Sequence, residues 1–166
     1  MENYLLIKKS EELEKFGFTR TYFLEDFVII EAETNKDLLK KIREAKGKKT
    51  VFRAKSEDML RFALEKTNVD VVLGAETINP KDSVHFVRGG LDQITCKIAA
   101  EKGKFIGFSF SDILNSKNKG KLLARMKLNL KLCKKYKVGV IFSNFSKFKE
   151  EIRSAKDLEV FLSVLR

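Results

Sequence analysis

Short apolar runs recur along this chain every 22 to 25 residues or so, each followed by a stretch with helical spacing, and that period admits few folds. The stretch from Val84 to Phe110, VHFVRGGLDQITCKIAAEKGKFIGFSF, shows the unit. Val84, Phe86 and Val87 suit a strand, and Gly89 and Gly90 break it. Leu91, Ile94, Ile98 and Ala99 then recur at helical spacing until Gly103, and Phe105, Ile106, Phe108 and Phe110 form a second strand. Two strands bridged by one helix make a βαβ unit, which sets both strands parallel in one sheet.

The rest of the chain repeats the unit. Strands are expected at Tyr4 to Ile7, Phe27 to Ala32, Val51 to Ala54, Val69 to Leu73 and Val138 to Phe142. Helices are expected after Ser10, Asn35 and Ser56, each a residue able to cap the first turn, then from Asn118 to Lys137 and from Lys156 to Leu165. Six to eight mostly parallel strands surrounded by helices allow an open doubly wound sheet or a barrel of the triosephosphate-isomerase kind. The regular spacing, and a first strand without a Gly-rich phosphate loop, favour the compact (β/α) barrel. At 166 residues, with no linker and one proline, a single domain over residues 1–166 is expected.

Cys96 and Cys133 sit on apolar faces of expected helices in no metal or redox spacing, which fits reduced core thiols and a cytoplasmic protein. No signal-peptide pattern and no apolar run near 18 residues is found, so no membrane association is expected. The net charge of +11 is unevenly placed. Residues 1–76 hold 15 basic and 15 acidic side chains, whereas residues 77–166 hold 19 and 8. No acid occurs between Asp112 and Glu150, a span that contains Arg125, Lys127, Lys131, Lys134, Lys135 and Lys147. This is a one-sided electrostatic footprint.

Catalytic chemistry has little support. A metal-dependent hydrolase needs clustered ligands, and His85 is the one histidine, more simply read as a hydrogen-bonded structural residue. Ser83, Ser109 and Ser143 have no second histidine to act as base. The carboxylates Glu31, Glu33, Glu76 and Asp112 fall near strand ends, but nothing in their spacing gives them a common site. On the helix from Asn118, by contrast, Leu122, Leu123, Met126, Leu130 and Cys133 project to one side and Lys127, Lys131, Lys134 and Lys135 cluster opposite. A solvated helix face would usually carry interleaved acids, and a polyanion would relieve the repulsion among these lysines. Phe145 and Phe148, set among lysines, suit either stacking on unpaired bases or helix packing.

The stretch HFVRGGLDQITCKIAAEKGKFIGFSFSDIL, followed by KLLARMKLNLKLCKKYKVGVIFSNFS and EIRSAKDLEVFL, resembles the thirty-kilodalton protein subunit family of eukaryotic and archaeal ribonuclease P, called protein component 3 in archaea. The likeness covers roughly residues 70–165; before that only the order of elements agrees. Position by position, Arg88 stands at the family's motif arginine and Gly90 and Leu91 at its Gly-Leu, while Asp92 replaces its Asn. Ser143 stands at the Ser of a Ser-Gly-Ala turn continued here as Asn144 and Phe145, and Arg153, Ser154 and Asp157 stand in the closing signature. In that signature Ala155 replaces Pro and Lys156 replaces Arg.

The resemblance implies a barrel related to metal phosphoesterases but without their metal site. It implies a ribonucleoprotein whose RNA cleaves precursor tRNA using Mg2+, the protein itself holding no cofactor. The isolated chain is then not expected to cleave, although the holoenzyme does. Implied partners are the ribonuclease P RNA, other protein subunits, notably a small ferredoxin-like subunit in a heterotetramer, and precursor tRNA indirectly. Arg88, Arg125, Lys127, Lys131, Lys134, Lys135, Ser143, Lys147, Arg153 and Lys156 are the expected RNA or partner contacts. An i, i+4 pair between Arg153 and Asp157 is the plainer reading of that arginine. A barrel enzyme acting on a phosphorylated small molecule and a general nucleic-acid-binding protein are the competing readings.

Overall fold

The computed structural model describes every residue except Lys15, with Glu14 described by its backbone alone. Its strands are β1 (Glu2–Tyr4), β2 (Arg20–Tyr22), β3 (Phe27–Ile30), β4 (Lys49–Arg53), β5 (Val71–Leu73), β6 (Phe105–Ser109) and β7 (Gly139–Ser143). Its helices are α1 (Glu11–Glu14), α2 (Asn35–Glu44), α3 (Glu57–Lys66), α4 (Gln93–Glu101), α5 (Phe110–Asn115), α6 (Lys119–Tyr136) and α7 (Ala155–Leu165). Strands β3 to β7 form a five-stranded parallel sheet in sequence order, and β1 pairs in parallel with β2.

The two sheets are joined. A parallel bridge links Leu5 to Ser146, the Leu6 N–H donates to the Ser146 carbonyl (2.8 Å), and the Phe145 N–H donates to the Tyr4 carbonyl (2.9 Å). In a flat sheet the outer strands β3 and β7 would lie about 19 Å apart, at roughly 4.8 Å per strand. Yet Tyr4, attached beyond β7, meets the Phe27 ring of β3 at 5.2 Å. The sheet therefore curls back on itself, consistent with a barrel-like α/β fold. Among the described residues no strand pairing joins β2 to β3, so the ring of hydrogen bonds is incomplete there. Only residues 23–26 separate those strands, too few for the crossover that parallel neighbours need.

Alternation along the strands fills both faces. Val51, Val71, Leu73 and Ile141 join Tyr4, Tyr22, Phe27 and Phe145 inside the curl. Phe52, Val72, Ile106, Phe108 and Phe142 face outward beneath the helices. Cys96 on α4 and Cys133 on α6 are both buried in that outer layer as free thiols.

Four expected elements differ. The first strand, expected at Tyr4 to Ile7, runs Glu2–Tyr4, and of the residues after it Leu5 makes a single bridge, to Ser146. Val84 to Val87 is not a strand but an exposed loop: β5 and β6 pair directly, so the sheet has no slot for it. The βαβ unit is instead β5, the long loop, α4 and β6. Thr34, not Asn35, caps α2, its hydroxyl accepting the Asp37 N–H. The run ending at Phe110 turns helical after Ser109, whose hydroxyl accepts the Asp112 N–H and starts α5.

Candidate nucleic-acid interface

Helix α6 is fixed at both ends by its own sequence. The Asn118 side chain accepts the Lys121 N–H at 3.0 Å, and Lys137 closes the helix with a left-handed φ of 57°. Leu122, Met126, Leu130 and Cys133 are buried against the core. Lys127, Lys131, Lys134 and Lys135 are all exposed, and their i, i+4, i+7, i+8 spacing sets them on one face. Among the described residues none of the four is ion-paired to an acid. The like-charge pairs Lys127 with Lys131 and Lys131 with Lys135 each cost the helix a few tenths of a kcal/mol, on the order of 0.3. The helix thus holds a repulsive row of cations that a phosphate backbone would relieve.

Arg125 departs from its expected place. It is 4% exposed, points away from the lysine row and fastens the loop that leads from β5 to α4. Its guanidinium donates to Asp82 (Nε at 2.9 Å, with a second nitrogen 2.7 Å away), to the Glu76 carbonyl (3.0 Å) and to the Asn79 carbonyl (2.6 Å). One helical turn to either side of Arg125, Lys121 reaches the Pro80 carbonyl (2.9 Å) and Asn129 the Gly89 carbonyl (2.6 Å). The sequence signal was the i, i+4 run of polar residues 121, 125 and 129, off the lysine row.

Ser143 is likewise not a surface contact. It is fully buried, its hydroxyl donating to Asn3 (3.0 Å) and accepting the Tyr4 N–H (2.7 Å), which ties β1 to β7. Arg153 is half-buried; it donates to the Glu150 and Ile152 carbonyls and lies over the Phe110 ring at 6.0 Å. It does not pair with Asp157, whose carboxylate is taken by the Ser154 capping box of α7. Lys156 and Lys147 are exposed, on α7 and beyond β7 respectively. Arg88 is exposed, its guanidinium 5.8 Å from the Phe86 ring centre. Phe145 is buried and stacked on Tyr4, which leaves only Phe148 of that pair available at the surface.

The strand-end carboxylates are mostly neutralised. Asp112 is bridged to Arg53 at 2.7 Å and Glu31 to Lys55 at 3.0 Å, which holds the Glu31 carboxyl below its usual range. Glu31, Arg53, Asp112 and Lys147 line a cleft of about 1140 Å³ along the unpaired side of β3. Among the described residues no three His, Cys, Asp or Glu side chains are placed to hold a metal ion. Glu76, just past β5, is fully buried, and among the described residues its carboxylate has no hydrogen-bond partner on another residue.

Burial pushes the Glu76 carboxyl up from 4.5 to about 7, with nearby Asp112 adding to the rise and Arg53 opposing it. Between pH 4.5 and 7 the folded chain therefore keeps a proton that the unfolded chain has released. The stability this represents is complete below pH 4.5 and is lost as pH rises towards and past 7. At about 1.4 kcal/mol per pH unit the loss is on the order of 3 kcal/mol. The difference in unfolding free energy between wild type and Glu76→Gln, measured by urea melts from pH 5 to pH 8, should shift by that order in favour of the variant. A difference independent of pH would sink the assignment.

Fold and site together define a class: a curled parallel α/β protein carrying a row of cations unbalanced by acids. Its curated homologues are more particular. Ribonuclease P protein component 3 of Methanocaldococcus jannaschii is 28% identical over 142 residues, covering 83% of this chain and 58% of that protein. Its namesake from Archaeoglobus fulgidus is 27% identical over 158 residues, covering 91% of this chain and 74% of that protein. The chain thus spans about three fifths of the length of the first and three quarters of the second. A chain in the cryo-EM structure of archaeal ribonuclease P with mature tRNA shares the fold, with a TM-score of 0.75 at 23% identity over 98% of this chain and 73% of that one. No protein-family model matches.

Proposed function

We propose that this chain is a protein subunit of ribonuclease P, the ribonucleoprotein that removes 5′ leaders from precursor tRNA. The observation that carries the reading is the exposed row Lys127, Lys131, Lys134 and Lys135, in a chain whose homologues bear that name. Such a row holds RNA through phosphates without reading sequence. Arg88, Lys147, Arg153 and Lys156 supply further contacts to RNA or to a neighbouring subunit, of which a small ferredoxin-like protein forming a heterotetramer is one. Arg125 and Ser143 act indirectly, by holding the loop and the β1–β7 junction.

On this reading the chain is one barrel domain over residues 1–166, works in the cytoplasm and is not catalytic alone; the RNA does the cleavage with Mg2+, and precursor tRNA is met indirectly. No described helix is long and apolar enough to cross a membrane. The paired carboxylates Asp112 and Glu31 give the competing small-molecule enzyme little free acid or base to work with. The test is precursor-tRNA cleavage by a matched archaeal ribonuclease P RNA and its other proteins, with and without this chain, as Mg2+ is lowered. Cleavage restored only when the chain is present is the expected result. No difference at any Mg2+ concentration overturns the reading.

A further inference from the structure

The loop between β5 and α4 exposes apolar side chains at its tip while its base is held by buried polar contacts, a combination that costs solvation and gains the fold nothing. Val84 is 96% exposed and Phe86 60% exposed. The turn carrying them is closed by two hydrogen bonds: the Ser83 N–H donates to the Phe86 carbonyl at 3.0 Å, and the Arg88 N–H donates to Asp82 at 2.9 Å. Asp82 is the carboxylate that buried Arg125 grips from α6. The ring of Phe86 is therefore presented from a fixed base, with the Arg88 guanidinium beside it.

We infer that Phe86 and Arg88 form a stacking platform for an unpaired base of single-stranded RNA. This rests on the ribonuclease P reading for its biological setting, but not for its chemistry. An exposed aromatic ring stacks on any base face, and an adjacent guanidinium can stack on the same base or grip its phosphate. Local charge favours a polyanion such as RNA over a basic or apolar protein: Arg88 lies beside the ring and Lys81 is exposed on the same loop, while Asp82 is already taken by Arg125 and Lys121. The loop packs on the Arg125 side of α6, and Leu128 of that helix lines one groove with Phe86, Arg88 and Gly89. Fixing the ring in advance lowers the ordering cost of binding.

The chain has no tryptophan, so Phe86→Trp places a single reporter at the platform. Short oligo(U) and oligo(A) should quench its fluorescence, and an RNA hairpin of equal length, fully paired and closed by a non-nucleotide linker, should not. Stacking contributes about 1 to 3 kcal/mol per base, so Phe86→Ala should bind the single strands roughly 5- to 150-fold more weakly, with hairpin binding and thermal melting unchanged. Phe86→Leu should lose as much as alanine and Phe86→Tyr should retain binding, which separates stacking from apolar contact. Equal quenching by hairpin, or full binding by Phe86→Leu, overturns the inference. So does quenching or a blue shift produced only by another protein, which would make the tip a protein anchor. Cleavage assays test the subunit reading separately: quenching without rescue of cleavage would remove that reading and leave the platform, and rescue without quenching the reverse.

Discussion

Replacing Gly90 by alanine should lower the unfolding free energy by about 4 kcal/mol. Gly90 has a φ of +88°, and a Cβ there would press on the Ala75 backbone carbonyl, far inside the 3.0 Å that real contacts respect. Left-handed backbone strain costs about 1 to 2 kcal/mol for a residue with a side chain, and pushing backbone apart in a packed region costs about 1 to 3 kcal/mol more. Ala75 cannot yield, because the turn from Ala75 to Thr77 follows directly on β5 and is fully buried at Ala75 and Glu76. For a chain of this size the melting temperature should fall by roughly 10 °C. Gly120→Ala is the matched control. In the first turn of α6 a Cβ meets nothing nearer than Asn118 Oδ1 at 4.0 Å, so alanine should be neutral or stabilise by up to about 1 kcal/mol. Equal effects of the two substitutions would show that the close approach at Gly90 does not constrain the fold.

Gly90 also shows what the sequence could and could not disclose. The Gly-Gly break before α4 was legible, as were β4, β5 and β7 from their apolar runs and α6 almost to the residue from Asn118 and Lys137. Val84 to Val87 misled, because alternating apolar residues are a strand signal only if a sheet edge is available to receive them. In this chain the apolar residues stand in solvent instead. Strand β2 carried almost no signal: of Arg20, Thr21 and Tyr22, only Tyr22 is buried, and it earns its place by stacking on Tyr4 at 4.8 Å.

The candidate interface divides along the same line. Lys127, Lys131, Lys134 and Lys135 were legible because helical spacing alone sets them on one face, and helical spacing is local. Arg125 was not. Counted with the lysines it reads as one more surface cation, and only the fold of residues 76–90 back onto α6 buries it. Ser143 has the same history: a strand-end hydroxyl looks accessible until β1, 140 residues earlier, closes over it.

Changing Lys127, Lys131, Lys134 and Lys135 together to glutamine should weaken binding of a folded RNA by roughly a thousandfold at 0.1 M salt while leaving the fold intact. Each cation that neutralises a phosphate releases condensed counterions, which adds about 0.7 to 0.9 to the slope of log affinity against log salt. Losing four such contacts should flatten that slope by about 3, and at 0.1 M salt each unit of slope is about one decade of affinity. Stability should change by less than about 0.5 kcal/mol, since all four are exposed and their mutual repulsion is relieved. Exposed Lys36, Lys40, Lys46 and Lys48, changed together, make the charge-matched control, because they come from the half of the chain that carries 15 bases against 15 acids. The control should leave the slope nearly unchanged. Filter binding to the ribonuclease P RNA from 0.05 to 0.4 M salt distinguishes the two variants. If both flatten the slope alike, the chain attracts RNA by net charge alone, and α6 is then a solvated helix rather than an interface.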